Sequence, residues 1–200
     1  MILPYRQVRD VNRGYATTVL VSFVAHYGRN PDGRETLSDW WSLPLPIHQR
    51  LGVLGGVAAT YPEHTPKVLR ALQDAAMLAA ESALPAWTAA YPNDLTLTIA
   101  IDAARAYLEA PTRPGRANVR WHGRAVRIAA LTPATNAMQS NLLTVYNALL
   151  AVPPTDDDEL EFTRREVTLL LHCARDAGLD LTTAAARLDA LVAELSGATP

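Results

Sequence analysis

AESALPAWTAAYPNDLTLTIAIDAARAYLEA, residues 80–110, contains a helix, a break and a second helix, and its reading decides the fold class. Just upstream, Thr65-Pro66 offers a capping hydroxyl and then a proline whose missing N–H costs nothing in a first helical turn. Val68, Leu72, Ala75, Ala76, Ala79 and Ala83 follow at helical spacing, and the many alanines let neighbouring backbones come close. Pro85 removes an i→i−4 bond and kinks or ends that helix. At Tyr91-Pro92 the chain leaves the α region, because proline crowds the residue before it. Asn93 or Asp94 then caps a helix whose buried stripe is Leu97, Ile101, Ala104 and Leu108, and Pro111 stops it.

The same punctuation repeats outward. Residues 1–14 are polar and basic with Pro4 and Gly14, which predicts an extended arm or loop. Residues 15–27, YATTVLVSFVAHY, suit a buried strand or a helix; helix is preferred because no partner strand is evident. GRNPDG at 28–33 is a turn. Pro46 opens a helix through Leu51, Leu54, Val57 and Ala58 that ends at Tyr61-Pro62. Its Gly52, Gly55 and Gly56 lack the spacing and the Lys-Ser/Thr of a phosphate loop, so close helix packing is the preferred reading. Thr132-Pro133 precedes a stripe of Met138, Leu142, Val145, Tyr146 and Leu149 that belongs in a central helix. Thr155 opens another, lined by Leu160, Thr163, Val167, Leu170, Leu171 and Ala174 and closed by Gly178. Thr182 or Thr183 starts the last, through Ala185, Leu188, Leu191, Val192 and Leu195. The expectation is an all-α single domain over residues 1–200, a bundle of about seven helices joined by short proline-marked loops.

With 200 residues, 49% of them hydrophobic, the chain can bury a sizeable core without disulfide or metal. A net charge of −2 gives no global attraction to nucleic acid or to an anionic membrane. Cys173 is the single cysteine, and neither a secretory leader nor an apolar run long enough to span a bilayer is evident, so a cytoplasmic protein is expected.

Leu84-Pro85, Trp87, Tyr91-Pro92 with Asp94, and the run Ala100-Ile101-Asp102-Ala103-Ala104-Arg105-Ala106-Tyr107-Leu108 resemble the signature of the Imm5-like immunity proteins of bacterial polymorphic-toxin systems. The likeness covers about thirty residues. Asn93 stands where that signature has an acid, and Leu95-Thr96-Leu97-Thr98 replaces its polar and basic run. The resemblance implies a bacterial protein that neutralises a cognate toxin by covering it, without catalysis or cofactor.

Three surfaces are candidates for such work. Asp156, Asp157, Asp158, Glu159 and Glu161 form an acidic segment suited to a basic partner, although negative charge at a helix start also simply complements the helix dipole. Trp40 and Trp41 are candidate aromatic anchors for a partner, with core burial as the preferred alternative. Residues 111–130 hold five arginines and no acid; Arg116, Arg120, Arg124 and Arg127 would share one helical face beside Trp121 and His122, the best local case for phosphate or nucleic acid. The acidic and arginine-rich segments would also suit each other across a homodimer.

Catalytic patterns are sparse. The histidines His26, His48, His64, His122 and His172 lack metal-ligand spacing, and His172-Cys173 point about 100° apart on a helix. No metal site, cofactor or catalytic residue is assigned. Three functions stay in play: an immunity-type binder, a nucleic-acid-associated helical protein, and a small-molecule enzyme whose residues meet only in the fold.

Overall fold

A computed structural model of the chain describes residues 1–11, 14–131, 135–152 and 159–197, with the backbone alone at Glu159. These residues form eleven α-helices: α1 (Tyr5–Val11), α2 (Ala16–Tyr27), α3 (Leu37–Trp41), α4 (Ile47–Thr60), α5 (Thr65–Glu81), α6 (Leu84–Ala90), α7 (Thr96–Glu109), α8 (Arg113–Ala129), α9 (Asn136–Ala151), α10 (Glu159–Asp176) and α11 (Thr182–Ser196). The all-α class holds, and the count exceeds the expected seven. The difference lies largely in α1, α3 and α6, each of seven residues or fewer, too short to display a 3.6-residue period in sequence. The helices group into two compact units, residues 1–71 with α11 from Ala186 onward, and residues 72–185.

The first unit is built around Trp40. Its ring lies 4.6 Å from Phe23 and 5.8 Å from Tyr5 between centroids, and its indole N–H donates to the Leu3 carbonyl at 2.6 Å. The expected arm at the N-terminus is instead part of this core. Leu3 and Val8 are fully buried, Ile2 makes an antiparallel bridge with Thr36, and α1 packs on α4. At that contact the backbone of Gln7 and Val8 lies 3.5 Å from where a Cβ on Gly56 would stand, which is the close packing the glycines predict. The stretch read as strand or helix resolves as helix from Ala16 to Tyr27, closed by Gly28 at φ 65° with its N–H on the Val24 carbonyl. The following turn is held by buried Glu35, whose carboxylate accepts from Arg29 and from the backbone N–H groups of Asp32 and Gly33. Thr36 and Asp39 then form a reciprocal capping box that starts α3.

In the second unit α9 packs against α6, α7, α8 and α10, the central place its stripe predicts. Its cap is Thr135, whose hydroxyl accepts from the Met138 N–H, while the expected start at Thr132-Pro133 lies outside the described residues. The stripe read for α7 is buried throughout, and so is that of α5. Thr65 is already helical, however, because the chain enters α5 through a 3-10 turn at Pro62–His64. Arg105 of α7 reaches Glu81 of α5 at 2.6 Å.

Glu166 on α10 is 6% exposed, and burial pushes its carboxyl up against the opposing pull of Arg165. A carboxyl raised by folding holds its proton more tightly in the native state, so its effect on stability worsens as pH rises past the ordinary carboxylate range. Glu166→Gln is therefore expected to raise the melting temperature at pH 7 and to change it little near about pH 4, where both forms are neutral. Thermal melts of the two proteins at both pH values check this; a lower melting temperature of the variant at pH 7 contradicts it.

Candidate functional site

α8 begins where Pro111 has ended α7 and Thr112 turns the chain, its hydroxyl accepting from the Gly115 N–H at 3.1 Å. A Cβ on Gly115 would stand 3.0 Å from that hydroxyl and 3.3 Å from the Tyr107 ring, so glycine here lets the end of α7 close against the start of α8. Gly123 is buried facing Leu149 of α9, and Val119 and Val126 complete the seam. Gly115 thus sits at a close contact, whereas a Cβ on Gly123 would meet Leu149 at an ordinary van der Waals distance of 3.7 Å, and α8 runs unbroken for 17 residues.

With Val119, Gly123 and Val126 turned inward, the arginines turn out. At 3.6 residues per turn, Arg113, Arg116, Arg120, Arg124 and Arg127 fall within an arc of about 80°. Arg113, Arg116, Arg120 and Arg124 line an open concavity of about 760 Å³ together with Tyr107 and Trp121. Arg127 lies outside it, its guanidinium 6.0 Å from the Tyr146 ring centroid on α9. The sequence reading thus placed three of the groove arginines. It missed Arg113, which the same periodicity would have found, and Tyr107, which only the tertiary turn at Pro111 brings alongside.

The electrostatics of this surface are one-sided. No acidic residue occurs between Glu109 and Asp156, so neither α8 nor α9 carries a carboxylate. Among the described residues, Arg113, Arg120, Arg124 and Arg127 make no ion pair. The arrangement works against helix stability in two ways. Arg116, Arg120 and Arg124 repeat at i,i+4, where like charges cost a few tenths of a kcal/mol per pair. Arg113 and Arg116 also sit in the first turn, where the helix dipole disfavours cations.

The other candidate residues are placed differently. Trp40 is fully buried, and Trp41 is 6% exposed with its indole N–H on Asp189 at 2.7 Å and the Arg50 guanidinium 5.0 Å from its ring centroid. Neither ring faces solvent, so the anchor reading of both gives way to core packing: Trp40 with Phe23, Trp41 capped by Arg50. Asp156, Asp157 and Asp158, with the Glu159 side chain, lie outside the described residues. Glu161 is half-exposed and paired in a two-point contact with Arg164, three residues on. Burial and the neighbouring Asp176 push the Cys173 thiol up, away from the thiolate a nucleophile needs.

Among the described residues no group of three or more His, Cys, Asp or Glu side chains is placed to hold a metal ion, and no helix is long and apolar enough to cross a membrane. The residues that resemble the immunity signature form one corner: Trp87 is 5% exposed, packs 4.5 Å from Tyr91 between ring centroids, and donates its indole N–H to the Asp94 carbonyl at 3.1 Å. Asp94 in turn accepts from the Thr96 N–H at the start of α7. Compared with protein-family models, curated proteins and solved structures, the chain finds no match.

Proposed function

We propose that this protein works by binding, and that the arginine groove on α8 takes the phosphodiester backbone of a nucleic acid. The observation that carries the reading is the run of four arginines along one concave surface with no carboxylate on that helix or on α9, one of the two helices it packs against. Guanidinium groups pair with phosphate in a charge-assisted, two-point geometry, and several in register supply sequence-independent affinity. The slightly negative net charge is compatible with this, because a local field of one sign is what a polyanion meets on approach. Titrating the protein into a fluorescently labelled oligonucleotide at low salt tests the reading. Saturable binding that weakens as salt is added supports it, and no binding at low salt refutes it.

A second reading is an immunity-type protein that covers a cognate toxin. Its support is the resemblance over residues 84–108 together with the surface those residues front. Tyr91, Pro92, Asn93 and Asp94 line a shallow depression, with Leu95 59% exposed beside it and Ile99 46% exposed one turn on. If the gene lies beside one for a large secreted toxin, this protein should rescue growth of cells expressing that toxin's C-terminal domain. Growth arrest unaffected by its presence counts against the reading. An alanine block over residues 156–161 that leaves the complex and its salt dependence unchanged removes the acidic segment from the contact.

A further inference from the structure

We infer that the α8 groove is built for a single strand, with one base stacked on Trp121; this rests on the nucleic-acid reading above. Trp121 is 68% exposed and, among the described residues, its indole N–H has no hydrogen-bond partner. So large an apolar ring left in water on a helix that buries three of its smaller residues does nothing for the core. Its position explains it. One residue from Arg120 and three from Arg124, Trp121 flanks the arginine arc on the side away from the buried seam, with exposed Ile128 two turns further along the same edge. A strand whose phosphates follow the arginines therefore carries its bases over the Trp121 ring.

Three features select one strand over two. Stacking on an aromatic face requires an accessible base, and the bases of a duplex are already stacked and paired; single-strand binders combine a cationic track with aromatic platforms in this way. The arginines line a concavity to which Tyr107 also contributes, where a thread fits, whereas a helix that reads a duplex projects into a groove about 12 Å wide. Arg116, Arg120 and Arg124 step by four residues, roughly 6 Å along the axis, a spacing commensurate with successive phosphates of one extended strand.

The test compares a short oligo(dT) with the same sequence in duplex, by fluorescence anisotropy at low salt, for the native protein and for Trp121→Ala and Trp121→Phe. The single strand is expected to bind at least about tenfold tighter than the duplex. Trp121→Ala should weaken single-strand binding about tenfold and leave duplex binding unchanged, while Trp121→Phe keeps most of the affinity. Because Trp121 is exposed, these substitutions should leave the thermal melt as it was. Equal affinity for both forms, or a Trp121→Ala loss that is absent or the same for both, overturns the inference while leaving phosphate-backbone binding intact. No binding of either form removes the underlying reading as well. Tighter binding to anionic phospholipid vesicles than to either nucleic acid also overturns the inference, and would assign Trp121 and Ile128 to a lipid surface.

Discussion

Arg120→Glu/Arg124→Glu is expected to reduce oligonucleotide affinity by about a hundredfold or more while leaving thermal unfolding unchanged or slightly improved. Each charge-assisted contact to phosphate contributes about 1.5–3 kcal/mol, so two lost contacts account for that factor before the repulsion of the new carboxylates is added. The stability side of the prediction follows from the same charges. Native α8 holds Arg116, Arg120 and Arg124 at like-charge i,i+4 spacing, and the substitutions convert contacts with Arg116 and Arg127 from repulsive to attractive. Loss of binding therefore cannot be attributed to loss of fold. Anisotropy titration and a thermal melt on the same preparation check both halves, and unchanged affinity would exclude this face as the binding surface.

Trp40→Ala is expected to have the largest effect on stability, about 3–5 kcal/mol, the range for removing a large aromatic from a close-packed core. Trp40 is fully buried against Phe23 and Tyr5, and its N–H is the partner of the Leu3 carbonyl, so truncation both opens a cavity and leaves a buried acceptor unpaired. Trp40→Phe refills most of the space without restoring the hydrogen bond, and should fall between the two. Chemical denaturation of the three proteins ranks them. A Trp40→Ala protein as stable as the native one would contradict this packing and return Trp40 to the role of a surface anchor.

Much of the helical layout is legible in the sequence because prolines and hydrophobic periodicity act locally. The stripes of α5 and α7 are buried as read, as are Leu142, Val145 and Leu149 of the α9 stripe, whereas Met138 and Tyr146 are only partly covered; Pro85, Tyr91-Pro92 and Pro111 each mark a real break. What escapes is set by contacts distant in sequence. Residues 1–14 read as a polar arm because only Leu3 and Val8 need burying, and the partners that bury and bond them, Trp40, Glu35 and α4, lie thirty or more residues away. Capping is displaced in the same manner. Asp94 caps α7 from one residue before its assigned N-cap, and Thr65 is overtaken by a 3-10 turn whose i→i+3 bonds leave no sequence period.

The site is legible in part for similar reasons. Periodicity alone puts arginines on one face, but it does not reveal whether acids on neighbouring helices pair with them; among the described residues Arg113, Arg120, Arg124 and Arg127 make no ion pair, and α9, on which α8 packs, has no acid to offer. Tryptophans are ambiguous in sequence because burial depends on which side of a helix meets the core. Trp40 and Trp121 are chemically alike and physically opposite, one fully buried and the other 68% exposed.

The salt dependence of oligonucleotide binding tests most directly whether the α8 arginines meet a phosphate backbone. Neutralising about four phosphates of a single strand gives a slope of log K against log salt near about −2.8, and Arg120→Gln should make it shallower by about 0.7. A slope near zero, or one that Arg120→Gln leaves unchanged, would contradict the account.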